Sequence, residues 1–207
     1  MRYLVVIAAV ALFMNLTGQS VLGQSTDVQI SIDSVTVSEN GRSITAVFIC
    51  KSLSDKNLLL YGFEGELNRF TDLARMCNLD RVSARFALFV YDENGVIQYP
   101  EWSIPDSIDY QPMPKERLAY FMEEERSQYR RATRMIKANQ SFVAERKIDL
   151  ADFHLQSGKY FLQVGYYSGK GINQLLHEAE VAGDMRIHHA TVFRGCILSN
   201  KSSFYIK

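Results

Sequence analysis

The sequence lacks an excess of charge of either sign, since its 207 residues include 23 Lys and Arg and 23 Asp and Glu. A nucleic-acid-binding protein usually carries a basic excess that displaces counterions from phosphates. A disordered chain is poor in apolar residues, whereas this one is 47% hydrophobic and 12% aromatic. We therefore expect a globular protein with one sizeable core and no nucleic-acid partner.

The sequence also lacks an apolar run long enough to cross a bilayer, which takes about 20 residues. Near the amino terminus, Met1-Arg2 precedes an apolar run from Leu4 to Met14, and Val21-Leu22-Gly23 has the small-x-small pattern that signal peptidase accepts. We predict a cleaved signal peptide at 1–23, in preference to a short anchor helix. The mature chain, 24–207, is then exported to a periplasm or secreted, without stable membrane insertion, and its net charge is −1 because Arg2 is removed.

Cysteine is scarce and its number is odd, so at most one internal disulfide forms among Cys50, Cys77 and Cys196. No Cys-x-x-Cys pair indicates a metal site. Cys50 ends an alternating run that is typical of a strand facing a core. A bridge between Cys50 and Cys196 across two sheets and buried free thiols are equally favoured alternatives.

Catalytic motifs are absent as well. The chain has no Gly-x-Ser-x-Gly elbow, and Ser168-Gly169-Lys170-Gly171 departs from the phosphate-loop pattern because Gly171 replaces the required Ser or Thr. We therefore predict a protein that is not an enzyme and that has no cofactor.

What the sequence does contain is an alternation of apolar and polar residues with a period of two, which is typical of strands. A change of phase between Ile32 and Val35 predicts either a bulge or the end of a strand, and Asn40-Gly41 predicts a tight turn. Asp92-Glu93-Asn94-Gly95 predicts a second hairpin. Eight or nine short strands separated by turns predict a mostly β fold, an antiparallel immunoglobulin-like β-sandwich.

Two segments exceed a minimal sandwich, which has about 100 residues. They are 101–141, which we expect to be partly helical, and 168–190, which we expect to be a loop. We interpret both as insertions in a single domain that covers 24–207.

The first insertion changes to a period of 3.6 between Lys115 and Lys137, which predicts an amphipathic helix that begins at or near Pro114. Acidic residues come early and basic residues late, as the helix dipole favours. The main expectation is a helix packed on the sandwich with a solvated charged face. The functional alternative is a helix that docks a protein or glycan partner through its basic end, which comprises Arg126, Arg130, Arg131, Arg134 and Lys137.

The second insertion contains imidazole and carboxylate groups that could bind a divalent metal: His177, Glu178, His188 and His189. Their spacing does not match the His-Glu-x-x-His pattern of zinc enzymes. A polar loop with exposed histidines is the favoured interpretation, and a metal-binding protein or metal-assisted hydrolase is the alternative function.

The segment Leu155 to Val164 resembles the corner and following strand of immunoglobulin-like and fibronectin type III-like sandwiches, in which a Gly precedes a corner Tyr. The stretches Ile44 to Ser54 and Phe89 to Gly95 are similar to exported bacterial sandwich modules, including a proteinase-inhibitor type. That resemblance implies a binding module, or an inhibitor that uses the loop from Trp102 to Pro114. Leu162 stands where antibody-type domains have their second bridging cysteine, so their disulfide is not implied.

Overall fold

The computed structural model describes residues 27–65, 68–69, 85–100, 114–169 and 176–207. The predicted signal peptide, Cys77 and the loop from Trp102 to 113 lie outside these ranges. No helix within them combines the length and the apolar character that a membrane span requires.

The described part of the chain is mostly β, as predicted. Its strands are β1 Val28–Val37, β2 Ser43–Ser52, β3 Asn57–Leu60, β4 Asn68–Arg69, β5 Arg85–Asp92, β6 Ile97–Gln98, β7 Arg134–Ile136, β8 Ser141–Asp149, β9 Gly158–Ser168, β10 Ala190–Val192, β11 Gly195–Leu198 and β12 Ser202–Ile206. Its helices are α1 Lys115–Arg131, α2 Glu178–Ile187 and a single 3-10 turn, Ala151–Phe153.

The strands form three sheets, none of them closed within the described ranges. The first has the order β1-β2-β8, and the second has the order β11-β9-β5-β4, with β12 also on β9 and β6 also on β5. The third has the order β10-β3-β7. Most pairs are antiparallel, while β10 with β3 and β4 with β5 are parallel. This arrangement is compatible with a β-sandwich.

Local turn chemistry in the first hairpin agrees with the sequence. The register of β1 against β2 shifts between Ile32 and Ser34, which confirms a bulge, one of the two predicted alternatives. Gly41 has a φ of +68° in the turn after β1, a conformation that favours glycine. The second predicted hairpin is confirmed by the antiparallel pairing of Tyr91 on β5 with Ile97 on β6.

One large core receives side chains from all three sheets. The rings of Phe48 on β2 and Phe86 on β5 meet edge to face with centroids 5.6 Å apart. Phe63, just after β3, lies 4.9 Å from Phe86 and 5.5 Å from Tyr166, measured between ring centroids. Aromatic contacts of this kind add to the free energy gained by burial, so Phe63 holds the layers together.

Cys50 and Cys196 lie on opposite sides of the six-stranded sheet formed by β4, β5, β6, β9, β11 and β12, which contradicts the Cys50–Cys196 pairing. Cys50 is a buried free thiol on the inner face of β2 and belongs to the large core. Cys196 is disulfide-bonded and lies in a separate cluster with Tyr167. A sheet therefore separates the two residues, because neighbouring positions on a strand point to opposite faces. The alternative interpretation of Cys50 as a buried free thiol agrees with the structure.

Three segments differ in secondary structure from the predictions. The helix of the first insertion ends at Arg131, and Arg134–Ile136 instead pairs with β3. The second insertion contains the helix α2 where we expected a loop. The segment from Thr191 to Leu198, whose sequence predicts one strand, is divided between β10 and β11, which belong to different sheets.

Candidate partner-binding site

The helix α1 forms because its local sequence suits a helix. Its 17 residues contain no glycine, proline or β-branched side chain, and Pro114 immediately precedes them with φ −53°. Glu116 lies in the first turn and Arg130 and Arg131 lie in the last, which suits the helix dipole. Local propensity thus accounts for the helix without any need for burial.

None of the residues of α1 is buried. Three large apolar side chains are strongly exposed: Leu118 at 47%, Tyr120 at 72% and Phe121 at 46%. Leu118, Phe121 and Met122 have the i, i+3, i+4 spacing of one helix face. Tyr129, at the other end of that face, is partly buried and packs against the core. We call Leu118, Phe121 and Met122 the α1 apolar face.

The carboxyl-terminal end of α1 is fixed to the fold by an aromatic contact. The rings of Tyr129 and Tyr61 stack with centroids 6.0 Å apart and an interplanar angle of 7°. Tyr61 is 1% exposed, and its carbonyl oxygen accepts a hydrogen bond from the Tyr166 hydroxyl at 2.9 Å. This contact places the last turn of α1 beside Tyr61, the residue that follows β3.

Charged groups from two helices converge beside this contact. Arg130 donates from Nη2 to Asp184 Oδ1 at 2.6 Å, and its Nη1 lies 3.5 Å from Glu180 Oε1. The Tyr61 hydroxyl donates to Asp184 Oδ2 at 2.8 Å. We call Tyr61, Arg130, Glu180 and Asp184 the clamp, since they link α1, α2 and the end of β3.

Burial, followed by the hydrogen bond to Asp184, raises the pKa of Tyr61. Its phenol is therefore kept protonated and acts as a hydrogen-bond donor to the carboxylate, not as a base. A cavity of about 200 Å³ adjoins the clamp and is lined by Leu59, Arg130, Thr133, Met135, Asp184 and His188. The clamp therefore serves as a structural connection between α1, α2 and the end of β3.

The basic residues predicted to dock a partner are not a uniform exposed patch. Arg126 pairs with Glu123 on the same helix at 2.9 Å, and Arg130 belongs to the clamp. Arg134 pairs with Glu64 at 2.9 Å, and its guanidinium lies 4.7 Å from the ring centroid of Phe142. Arg131 and Lys137 are exposed, and neither has an ion pair among the described residues. The structure therefore leaves fewer of these basic side chains unpaired than the sequence alone predicts.

The predicted metal residues are separated by α2. His177 precedes the helix and Glu178 begins it, whereas His188 and His189 follow its last residue. Ten helical residues hold the two histidine groups about 16 Å apart at 1.5 Å per residue. Glu180 instead accepts a hydrogen bond from the His177 N–H at 2.9 Å, which stabilises the helix start. No group of three or more His, Cys, Asp or Glu side chains in the described ranges is placed to hold a metal ion.

The fold and the site define a mostly β protein that carries an exposed helix clamped at one end. No protein-family model matches the chain, and no curated protein matches it. The solved structure of Bacteroides uniformis beta-glucuronidase 2, covalently bound to cyclophellitol-6-carboxylate aziridine, is similar with a TM-score of 0.30 and 7% identity over 88% of this chain. The chain spans 13% of that enzyme's length, and the likeness indicates neither a family nor an activity.

Proposed function

We propose that this protein is an exported, non-enzymatic binding module that engages a protein partner through the α1 apolar face. The observation that carries the proposal is the exposure of Leu118 and Phe121, at 47% and 46%, on a helix that has no buried residue. Amphipathic helices commonly bind partners by placing apolar residues with i, i+3 and i+4 spacing in a groove. The clamp at the other end of α1 supports this role, because a fixed helix loses little freedom on binding.

A protein is favoured over a glycan as the partner. Leu118 and Met122 offer no hydrogen bonds, and covering them with the hydroxyl groups of a sugar leaves those hydroxyl groups unsatisfied. An apolar groove on a protein has no such cost.

The immunoglobulin-like character of the sandwich is part of the proposal. The Tyr160 hydroxyl donates a hydrogen bond to the Gln156 carbonyl oxygen at 3.0 Å, four residues upstream. This is the contact of the tyrosine corner in immunoglobulin-like domains. It supports that architecture at the place where the sequence resembles it.

Site-specific photo-crosslinking tests the proposal in two stages. A photoreactive residue replaces Leu118 or Phe121 in the full-length protein, and Tyr205 on β12, which is 60% exposed, provides a matched position far from α1 in the sequence. We expect cross-links to a protein partner from α1 and not from position 205. Equal cross-linking from both positions contradicts the proposal.

The partner identified in this way is then purified and its dissociation constant measured. We expect Leu118→Ser with Phe121→Ser to weaken binding about tenfold or more, since apolar anchors dominate such contacts. The double variant should fold normally, because substitutions of exposed residues usually change stability by about 0.5 kcal/mol or less. Tyr205→Ser is the control, and unchanged binding by the double variant refutes the role of α1.

A further inference from the structure

The two edges of the sheet β1-β2-β8 differ in what surrounds them. At the β1 edge, Ile32 N–H donates to Asn200 Oδ1 at 2.7 Å, and Asn200 Nδ2 donates to the Ile32 carbonyl oxygen at 3.2 Å. Val28 and Ile30 on the same strand are only 2% exposed. At the opposite edge, Val143 on β8 is 66% exposed. The β1 edge is therefore covered, and the β8 edge faces solvent.

Every second residue of β8 directs its peptide groups away from the sheet. At the two ends of the β2–β8 pairing, Ser52 N–H donates to Gln140 O and Leu150 N–H donates to Arg42 O, each at 2.8 Å. The register between these ends is unbroken. Because hydrogen-bonded and non-hydrogen-bonded pairs alternate in an antiparallel ladder, the odd-numbered residues of β8 turn their N–H and C=O groups away from β2. These outward residues are Ser141, Val143, Glu145, Lys147 and Asp149.

The outward peptide groups of β8 have no partner within the described ranges. The strand β8 pairs with β2 alone there, and no outward group bonds to a turn or loop residue. All five outward residues are exposed. A strand edge in this state is a template for pairing with another chain.

The side chains at adjacent outward positions carry opposite charges. Glu145 and Lys147 lie on the same face of the strand, and neither has an ion pair in the described part of the chain. When two copies of β8 pair antiparallel about a two-fold axis beside Arg146, Glu145 of each copy lies opposite Lys147 of the other. Opposite charges that face each other across two strands stabilise the pairing. The edge is thus complementary to itself.

Other registers lose this match. An axis beside Glu145 or beside Lys147 places two identical charges opposite each other, which destabilises the pairing. An axis nearer the start of β8 places Glu145 opposite neutral residues. An axis beside Ile148 pairs Lys147 with Asp149, but three of the five outward residues then extend beyond the other strand.

The central arginines do not oppose this register. Arg146 lies on the other face of the sheet from Glu145 and Lys147. Its guanidinium donates from Nη2 to the carbonyl oxygen of Phe63 at 3.4 Å, and Phe63 is 2% exposed. Each arginine is therefore directed toward the interior of its own copy.

We propose that two copies of this protein associate through β8, antiparallel about a two-fold axis beside Arg146, so that their sheets β1-β2-β8 become one continuous sheet. Main-chain hydrogen bonds join the two strands, and two pairs of Glu145 with Lys147 set the register. A second copy is favoured over an unrelated strand because each copy supplies the complement of its own charges. The surface is separate from the α1 apolar face.

Analytical ultracentrifugation of the full-length protein tests this inference. We expect an equilibrium between monomer and dimer from about 5 to 500 µM, with a dissociation constant in that interval. A monomer at every concentration overturns the proposal. Leu118→Ser with Phe121→Ser should leave the dimer unchanged, and loss of the dimer in this variant assigns self-association to α1 and overturns the role of β8.

Charge reversal tests the register. Glu145→Lys and Lys147→Glu each place like charges opposite each other in both pairs, so each variant alone should dimerise at least about tenfold more weakly. An equimolar mixture of the two variants should recover the original affinity, because the basic strand of one then faces the acidic strand of the other. Misfolding cannot produce such a recovery, and a mixture that stays monomeric overturns the proposal.

A control of equal charge separates this local effect from the net charge. Glu39→Lys makes the same change in an exposed turn, outside β8, and should leave the dissociation constant unchanged. Equal weakening by Glu39→Lys and Glu145→Lys would mean that general repulsion decides the association, which overturns the pairing of Glu145 with Lys147.

Discussion

Tyr61 and Asp184 are joined by a hydrogen bond of 2.8 Å between residues that are 123 positions apart in the sequence. Asp184 also accepts from Arg130, so one carboxylate connects the end of β3 to both helices. The relationship explains how α1, with no buried residue, has a defined position.

The first prediction concerns this carboxylate. Asp184→Ala should lower the free energy of unfolding by about 1–3 kcal/mol, because the largely buried Tyr61 hydroxyl loses its acceptor. The pair with Arg130 adds little, since the arginine is 43% exposed and surface ion pairs contribute about 0.2–1 kcal/mol. Urea denaturation measures the change. The exposed Asp55→Ala is the control, and an effect of Asp184→Ala no larger than that of the control contradicts the role of the clamp.

The second prediction concerns alkaline pH. Burial raises the pKa of Tyr61, Tyr91 and Tyr166, so the folded protein holds these protons more tightly than the unfolded chain does. The stabilisation is complete below the pKa of a free tyrosine, about 10, and is lost as the pH rises above it. We expect the free energy of unfolding to fall between about pH 10 and 11. Tyr61→Phe should make the fall less steep, and constant stability over this interval contradicts the prediction.

The third prediction concerns thiol chemistry. Cys50 is 1% exposed, and burial raises the pKa of its thiol to about 12, so it should resist alkylation in the folded protein. Cys196 is disulfide-bonded and should be alkylated only after reduction. Mass spectrometry of peptides with and without reductant measures both states. A Cys50–Cys196 peptide contradicts the prediction.

The fourth prediction concerns the aromatic centre of the core. Phe63→Ala should cost about 3–5 kcal/mol, because a buried ring that contacts Phe86 and Tyr166 leaves a cavity. Phe121→Ala removes the same atoms from an exposed position and should change stability by about 0.5 kcal/mol or less. Thermal unfolding of the two variants provides the comparison. Similar losses in both would mean that α1 is packed more tightly than its exposure indicates.

The strands were predictable where their sequence alternates and ends in a recognisable turn. The bulge after Ile32 and the hairpin at Gly95 are local features, so the sequence contains all the information they need. The end of α1 is different. Residues 134–136 continue a helical pattern, but pairing with Leu58–Leu60 stabilises a strand there, and that contact is distant in sequence.

The helix α2 was missed because its sequence has little apolar periodicity. Val181 is its one buried residue, and Gly183 lowers its helical propensity. The clamp could not be predicted either. Its acidic residues Glu180 and Asp184 lie 50 and 54 positions from Arg130, so the basic segment looked unpaired in the sequence. The exposure of Leu118 and Phe121 likewise depends on what the fold leaves uncovered.

The bond between Asn200 and Ile32 has a consequence for producing the protein. Asn200-Lys201-Ser202 is an acceptor sequence for N-glycosylation in eukaryotic secretory pathways. The sugar is attached to the side-chain amide nitrogen, the atom that donates to the Ile32 carbonyl oxygen. Material secreted from yeast or animal cells would therefore carry a bulky substituent on the atom that makes this bond. Bacterial expression, which leaves this asparagine unmodified, preserves the bond and is the appropriate source for the stability measurements.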